Sequence, residues 1–482
     1  MNSLKSDVVI IGAGPGGYAA AFLAADLGMQ VSIVDPEAHP GGVCLYRGCI
    51  ASKALLHAAK VLSDAEDAKQ FGLNFGNPQI DLSKLRNWKD DIILKLTSGL
   101  SSLTKSRNIT YIQGYAKFRN SNELEIRSVS DEKSDDFKVL TFQKAIIATG
   151  SKPAHFPYAP LSESIMDSTM ALQIKNIPKT LLVVGAGYIG LELGSVYANL
   201  GSEVTIVEAG DTLLPAVDRD LVAVFAKKQK NLFKEILLSV KVEKLTQTDH
   251  GAKAQIVSED GEEKQMFFDK ILSAIGRNPN SQFLGLENTN VKTDEKGFIQ
   301  TDETGKTFDE NIYAIGDVTG EPMLAHAASA QGKIAAEAIA GENVIYAPRV
   351  VPAVIFTDPQ IAWCGITQSQ AKTMDIEVVR FPWGASGRAL TMNRTDGLTK
   401  LFIDRKSKRI LGMGIAGPEA GEMIAEGVLA IEMGAVAGDI GMSIHAHPTL
   451  SETVMEGAES FFGQATHLYR PQTKTKPTKD TI

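Results

Sequence analysis

One hydropathic pattern appears twice along the chain. From Asp7 the sequence runs DVVIIGAGPGGYAAAFLAADLGMQVSIVD, and from Lys179 it runs KTLLVVGAGYIGLELGSVYANLGSEVTIVE. Each begins with a β-branched apolar run, then G-x-G-x-x-G, a small-residue helical stretch closed by Leu-Gly, a second β-branched run and an acidic residue. Short continuous apolar runs bounded by turn residues predict buried strands, so each copy predicts a β-turn-α-β unit. The uncharged stretch from Val8 to Ala25 imitates a signal-peptide core, but its glycine turn breaks such a helix and no cleavage pattern follows.

A lone G-x-G-x-x-G is weak evidence. Here each copy lies between a predicted strand and helix, with a carboxylate, Asp35 or Glu208, about twenty residues on. In that setting Gly12, Gly14 and Gly17, and likewise Gly185, Gly187 and Gly190, permit a tight turn, close approach of a pyrophosphate, and helix-on-strand packing. The pyrophosphate then rests on free N–H groups at the helix start. The carboxylates accept ribose hydroxyls and repel a 2′-phosphate, and no Arg or Lys follows Glu208 until Arg219, so the second site is expected to take NAD rather than NADP.

Elsewhere, 144–150 (KAIIATG) predicts a short buried strand, followed at SKPAHFP by a domain crossing. The segment 273–279 predicts the return crossing, and 128–138 a charged surface hairpin. Residues 469–482, rich in Lys, Thr and Pro without apolar periodicity, predict a disordered tail. Length alone, 482 residues, predicts three or four domains. Apolar residues at 44% and charged residues at 22% are those of a soluble globular protein. A net charge of −8 argues against a nucleic-acid partner, and no stretch suits a bilayer span. Three cysteines in so long a chain make no secreted disulfide framework, which predicts a reducing, cytoplasmic compartment.

Two of those cysteines sit together in 41–57, GGVCLYRGCIASKALLH. Cys44 and Cys49 at this spacing either close a short, reducible disulfide or flank a turn as small buried residues. Lys53 lies four positions past Cys49, on the same helical face. Glu192, in the apolar helix of the second glycine unit, is costly unless paired, so a partner is expected. The segment His445-Ala446-His447-Pro448 with Glu452 offers an imidazole and an orienting carboxylate. No third ligand accompanies the two histidines, and no metal is expected. Cys364, in a β-rich run, is expected to pack.

The segment CLYRGCIASK, the GAGPGG turn, ATG at 148–150, GAGYIGLELG at 185–194, YAIGD at 313–317 and HAHPTLSE at 445–452 follow one another in an order that resembles the pyridine nucleotide–disulfide oxidoreductases, class I. The resemblance runs from the first strand to about residue 468. It implies an α/β fold with two Rossmann-like dinucleotide-binding domains, a central domain and an α+β C-terminal dimerisation domain. The implied boundaries are an FAD domain at 1–150, an NAD domain at 151–276, a central domain at 277–348 completing the FAD site, and an interface domain at 349–468.

It further implies an obligate homodimer using FAD and NAD. Asp35 would take the FAD ribose and Asp317 the flavin side, Asp317 being placed equally well as a helix N-cap. Gly114, Thr149, Gly150, Gly276 and Ala325 would complete the cofactor sites. Cys49 would be the thiol beside the flavin and Cys44 the one exposed to substrate, with Lys53 near the flavin ring and paired to Glu192. His447 would be the base, Glu452 its partner, and His445 structural. The implied activity is oxidation of protein-bound dihydrolipoamide to lipoamide with reduction of NAD+ to NADH. The partner would be a lipoyl-bearing acyltransferase or carrier protein of a 2-oxo acid dehydrogenase or glycine cleavage complex, since no lipoyl-type domain precedes Ser6.

Three alternatives are weighed against this. A glutathione-type reductase would want basic residues after Glu208, a mercuric-type reductase a C-terminal cysteine pair, and an inactive assembly subunit would not need the complete cysteine, lysine and His–Glu set. The usual pattern is CLNVGCIPSK, from which Tyr46, Arg47 and Ala51 depart. Arg47 is expected either to bring positive charge to the thiols or to point to solvent.

Overall fold

The computed structural model describes residues 4–129 and 137–469. Most of the hairpin expected at 128–138 and all but the first residue of the tail expected at 469–482 lie outside the described residues. Contacts divide the chain into two units, 1–211 with 234–347, and 212–233 with 348–482.

In the first unit the opening glycine pattern folds as expected. Strand β1 (Leu4–Ile11), helix α1 (Pro15–Asp26) and strand β2 (Val31–Asp35) form the β-turn-α-β unit. Helices α2 (Gly42–Arg47), α3 (Cys49–Asp67) and α4 (Leu82–Ser106) follow, then strands β3 (Thr110–Gln113), β4 (Tyr115–Asn120), β5 (Glu123–Arg127) and β6 (Lys138–Ile147). The sheet runs β3-β2-β1-β6, with β5 and β4 continuing from the first half of β6 and strand Ile312–Ala314 pairing its second half. Parallel register sets Ile11 against both Val34 and Ile147, so Gly12, Asp35 and Ala148 emerge together at the carboxyl edge. Ligands of such sheets bind at that edge. Helix α1 lays Ala20, Ala21 and Ala24 into the core and meets helix Ala325–Ile339 through glycine, where a Cβ on Gly332 would lie 2.4 Å from the Gly16 carbonyl.

The second glycine pattern builds the same device. After β7 (Ser151–Pro153), β8 (Ile165–Met166) and the short helix α5 (Ser168–Ala171) come β9 (Thr180–Val184), α6 (Tyr188–Asn199) and β10 (Glu203–Val207). With strands Glu235–Leu237 and Lys270–Ser273 they form a five-stranded parallel sheet carrying a three-stranded antiparallel sheet beside it in sequence, 240–268. The two glycine turns share their backbone angles and close approaches. Gly12 and Gly185 have φ of +101° and +104°, and a Cβ on either would lie 2.4 Å from the carbonyl oxygen of Ala148 or Ala274. A Cβ on Gly17 or Gly190 would lie 2.0 Å from the oxygen of Gly12 or Gly185, so helix and strand touch there only because both residues are glycine. The two predicted crossings pair with each other, β7 running antiparallel to Arg277–Pro279.

The second unit is a five-stranded antiparallel sheet, ordered Ala353–Ile355, Gln360–Gly365, Ile410–Gly417, Leu398–Asp404 and Ile376–Pro382. Helices Ala420–Glu432 and Glu452–Phe461 pack against it over a core that includes Trp383, Leu401, Met413 and Val454. Helix Arg219–Gln229 belongs to this unit, although in sequence it falls inside the stretch 151–276. The reason is electrostatic as well as apolar. Lys400, with 0% side-chain exposure, reaches Asp218 and Asp220 at 2.6 Å each, and Arg380 reaches Asp220 at 2.8 Å. Among the described residues no helix is long and apolar enough to cross a membrane.

Candidate active site

A cavity of about 790 Å³ opens at the carboxyl edge of the first sheet and is walled by both glycine-turn helices. From the first unit's opening turn come Gly12, Gly14 and Gly16; from α6 come Tyr188, Ile189, Glu192 and Leu193. Asp35, at the end of β2, accepts the Ala13 N–H at 2.6 Å on one carboxylate oxygen and the Glu37 N–H at 2.8 Å on the other. Glu208 repeats this, taking the Ala186 N–H at 2.7 Å and the Gly210 N–H at 2.8 Å. Each carboxylate thus pins the glycine turn it serves. Burial pushes the Asp35 carboxyl up to about 6, against the pull of the Ala13 N–H and the nearby Arg47.

The other expected cofactor residues divide between two places. Gly114, Thr149, Gly150, Asp317 and Ala325 all line the cavity. Gly114 donates its N–H to the Asp35 carbonyl, and Thr149 donates its hydroxyl to Asn280 O at 2.7 Å. Gly150, at φ +68°, has open space where a Cβ would stand, so no side chain fills the cavity there. Asp317 lies inside the 3-10 turn Gly316–Thr319 rather than capping a helix; it accepts the Ser151 hydroxyl, which in turn accepts Arg277 Nε–H at 2.7 Å. Gly185, Gly187, Gly190, Glu208 and Gly276 do not line this cavity but surround the carboxyl edge of the second parallel sheet. Arg219, the first cation after Glu208, spends its guanidinium on the carbonyls of Leu213, Leu214 and Val217 and on Thr212.

Cys44 lies in α2 and Cys49 opens α3, Gly48 making the break between them because a Cβ there would lie 2.8 Å from Val43 O. Both are free thiols on the cavity wall. Cys49, which begins its helix at the cavity, is open to it, and Cys44, within the preceding helix, is half-buried. The hydrogen bond from Cys44 draws the Cys49 thiol down to about 7, burial opposing and the Lys53 ammonium assisting. The same bond and burial push Cys44 up.

Lys53, one turn into α3, meets Glu192 on α6 at 2.9 Å, with side-chain exposures of 31% and 4%. The buried carboxylate has its partner, and the pair joins α3, the helix that Cys49 opens, to the second glycine-turn helix α6 beside the thiols.

The two departures between the cysteines take other directions. Tyr46 donates its hydroxyl to His39 O at 3.0 Å, and Arg47 forms an ion pair with Glu37. Neither expectation for Arg47 holds, because the turn of α2 carries its guanidinium toward the residues after β2. Ala51 is fully buried in the first turn of α3.

In the second unit, His447 Nδ1 lies 2.9 Å from Glu452 Oε1, and Glu452 Oε2 accepts the Thr449 N–H at 2.8 Å. Burial works to raise the Glu452 carboxyl, but that N–H and the imidazole outweigh it and hold it below the usual range. The His447 side chain is 74% exposed, leaving Nε2 open. His445 is held by Glu426 at 2.9 Å and by Ser443 O at 2.8 Å. Cys364 is 1% exposed and packed, with burial pushing its thiol up to about 12. Exposed Leu429, Met433, Met442 and Ile444 give this unit an apolar surface.

Sequence reasoning missed Tyr188, Tyr18, Ser151 and Arg277. Tyr188 stands within the second glycine turn itself, which was a usable signal; burial pushes its phenol up to about 12. Tyr18, raised by burial and by the two thiols, and the Ser151–Arg277 contact carried none, because each depends on which elements pack together.

Comparison with known proteins bears on the whole chain. Residues 6–332 match the model of the pyridine nucleotide-disulphide oxidoreductases, and residues 351–458 that of their dimerisation domain. A dihydrolipoyl dehydrogenase of Buchnera aphidicola is 45% identical, over 96% of this chain and 97% of its own. One from Vibrio parahaemolyticus is 43% identical over 96% and 97%. Among solved structures, the hypochlorous-acid-induced flavoprotein disulfide reductase of Escherichia coli is 29% identical with a TM-score of 0.82, covering 93% of this chain and 98% of that one. A duplicated glycine turn pinned by a carboxylate, a thiol pair beside a lysine paired to a buried glutamate, and a His–Glu dyad in a dimerisation domain agree with those matches, and the chain belongs to the pyridine nucleotide-disulphide oxidoreductase family.

Proposed function

We propose that the protein oxidises protein-bound dihydrolipoamide to lipoamide and reduces NAD+ to NADH, using FAD and a Cys44–Cys49 redox disulfide, as a homodimer. The observation that carries this is the meeting of the thiol pair with the Lys53–Glu192 pair on a cavity walled by both glycine-turn helices. Identity of 41% to 45% with dihydrolipoyl dehydrogenases across nearly the full length supports it over the glutathione-type, mercuric-type and assembly-subunit alternatives.

FAD fits the residues present: the Asp35-pinned turn, the open space at Gly150 and Asp317 would hold it, and when bound it carries electron pairs between a thiolate and nicotinamide. Gly185, Gly187, Gly190 and Glu208, with Gly276, would hold NAD, and no free cation near Glu208 in sequence favours a 2′-phosphate.

The residues then have definite tasks. With Nδ1 facing Glu452, His447 takes a substrate thiol proton on Nε2. That thiolate attacks Cys44 Sγ, the Cys44–Cys49 bond breaks, and its electron pair leaves on Cys49 as thiolate. The substrate's second thiol, deprotonated, displaces Cys44 and closes lipoamide. The two electrons and two protons lost by the dithiol now reside on the cysteine pair and the base. Cys49, held as thiolate by the Cys44 hydrogen bond and Lys53, is the exit for the electron pair. NAD+ receives two electrons and one proton as hydride, and the second proton is released. His447 and Glu452 serve the thiols of the other subunit, so a monomer is inactive.

The four-part division at 1–150, 151–276, 277–348 and 349–468, a cytoplasmic location, and a lipoyl-bearing acyltransferase or carrier protein as partner belong to the same reading. The test is dihydrolipoamide-dependent NAD+ reduction by purified protein, set against glutathione disulfide with NADPH. Turnover with the first pair and none with the second is expected; FAD-loaded protein inert toward dihydrolipoamide and NAD+ would sink the proposal.

A further inference from the structure

His445 and His447 stand two residues apart in the loop between helix Ala437–Met442 and helix Glu452–Phe461, and their rings meet different surroundings. His447 has one nitrogen against Glu452 and the other open. His445 has neither open: Nδ1 lies 2.8 Å from Ser443 O and Nε2 2.9 Å from Glu426 Oε1. A backbone carbonyl and a carboxylate only accept, and a neutral imidazole has a single N–H to give. Both contacts are hydrogen bonds only if both nitrogens carry protons, so the ring is an imidazolium. Of a proton shared between a carboxyl and an imidazole, the imidazole is the usual owner, by about a hundredfold in free side chains. The surrounding charge agrees. Burial works to lower the His445 imidazole, but the Ser443 carbonyl, Glu426 and Glu452 outweigh it and hold it above the ordinary histidine range; Glu459, on the same helix as Glu452, faces it too.

The place of this cation in the loop gives it a task. From Met442 to Pro448 every residue but His445 is exposed, whereas the His445 side chain is 10% exposed. Past His447 the loop is tied by Thr449, which donates its N–H to Glu452 and its hydroxyl to Ala446 O. Ahead of His447 it is tied by His445, to Glu426 in helix Ala420–Glu432, which packs on the sheet. We infer that His445 is a positioning residue for the base: clamped as a cation between Ser443 O and Glu426, it fixes the loop that presents His447. The clamp has a limit in pH. A histidine held above its ordinary range keeps its charge through neutral pH and loses it as pH rises through its folded value. Nε2 then turns a lone pair on the Glu426 carboxylate, and the loop is released.

The inference rests on the proposed function for its kinetic test, so a second measurement reads the ring without turnover. Full-length holoenzyme is treated with diethyl pyrocarbonate, which attacks only unprotonated imidazole, between about pH 6 and 9, and His445 is read by fragment mass spectrometry. In Glu426→Gln the amide can donate to Nε2 and leave the ring neutral, so the labelling midpoint of His445 should fall by about one pH unit from that of wild type. For the kinetics, kcat and KM are measured in wild type, His445→Ala and Glu426→Gln. His445→Ala should lower kcat about tenfold at neutral pH, with bound flavin, the KM for NAD+ and the circular dichroism kept. Glu426→Gln should retain more of the rate than His445→Ala there, and its kcat should fall less than that of wild type from neutral to alkaline pH. Equal His445 midpoints in wild type and Glu426→Gln, or a wild-type kcat in His445→Ala, overturns the inference alone. Wild type inert toward dihydrolipoamide and NAD+ overturns the proposed function, and the labelling midpoints then decide the clamp by themselves.

Discussion

The Cys49 thiol, drawn down to about 7, makes the redox turn open to a direct chemical test. At pH 7 about half of such a thiol is thiolate, against a few per cent of an ordinary cysteine. Three neighbours act on it in order: the Cys44 hydrogen bond lowers it most, the Lys53 ammonium lowers it further, and the Glu192 carboxylate raises it least. Lys53→Met removes one of the lowering charges. An opposite charge in contact range shifts a pKa by about 1–3 units. The lower end applies, because Lys53 is 31% exposed and solvent screens its charge. A rise of about one unit cuts the thiolate at pH 7 from about a half to about a tenth, so alkylation slows about fivefold there and converges with wild type above about pH 9.

Glu192→Gln removes the opposing charge instead, and its midpoint should fall, by less than the other rises. The assay is timed iodoacetamide labelling of fully reduced protein between pH 5 and 10, read on the peptide carrying Cys49 by mass spectrometry. Cys364, 1% exposed and pushed up to about 12, should remain unlabelled and reports any unfolding. The sign is the decisive feature. Two variants shifting the midpoint the same way, or neither shifting it, would refute the view that this ion pair sets the thiolate's electrostatics.

Three further outcomes are expected. Glu452→Gln keeps the shape of the dyad but not its acceptor-only carboxylate, and kcat with dihydrolipoamide should fall by about 10²-fold or more while the secondary structure is retained in circular dichroism. Lys400→Met leaves Asp218 and Asp220 facing a fully buried methionine and should cost about 3–5 kcal/mol in denaturant unfolding; adding Asp218→Asn and Asp220→Asn should recover much of it. Gly190→Ala drives a Cβ to within 2.0 Å of the Gly185 oxygen, so the KM for NAD+ should rise steeply while bound flavin is kept, whereas Gly17→Ala, with the same 2.0 Å clash against Gly12, should lose flavin instead.

What could be read from the sequence was whatever is encoded within about one βαβ unit. The glycine spacings, with Asp35 and Glu208 closing them, specify a local turn whose geometry the backbone enforces twice over, down to the same 2.4 Å and 2.0 Å approaches. His447 and Glu452, five residues apart across a loop and a helix start, are legible for the same reason. Lys53 and Glu192 are 139 residues apart, and there the residues themselves announced only that a buried carboxylate needs a partner, while the family resemblance named Lys53. Helix Arg219–Gln229 could not be assigned from its own residues, since what draws it to the second unit is Lys400, a lysine inside an apolar strand nearly two hundred positions away. Arg47 is the sharpest case. Its place in the chain, between two thiols, invited a redox role, but a residue's neighbours in sequence are shared by every rotation of its helix. Which charge it meets is decided by how α2 is turned on the glycine loop, where a Cβ on Gly42 would lie 2.5 Å from the Gly14 Cα. That contact fixes the rotation, carries the guanidinium to Glu37, and leaves the thiols to Lys53.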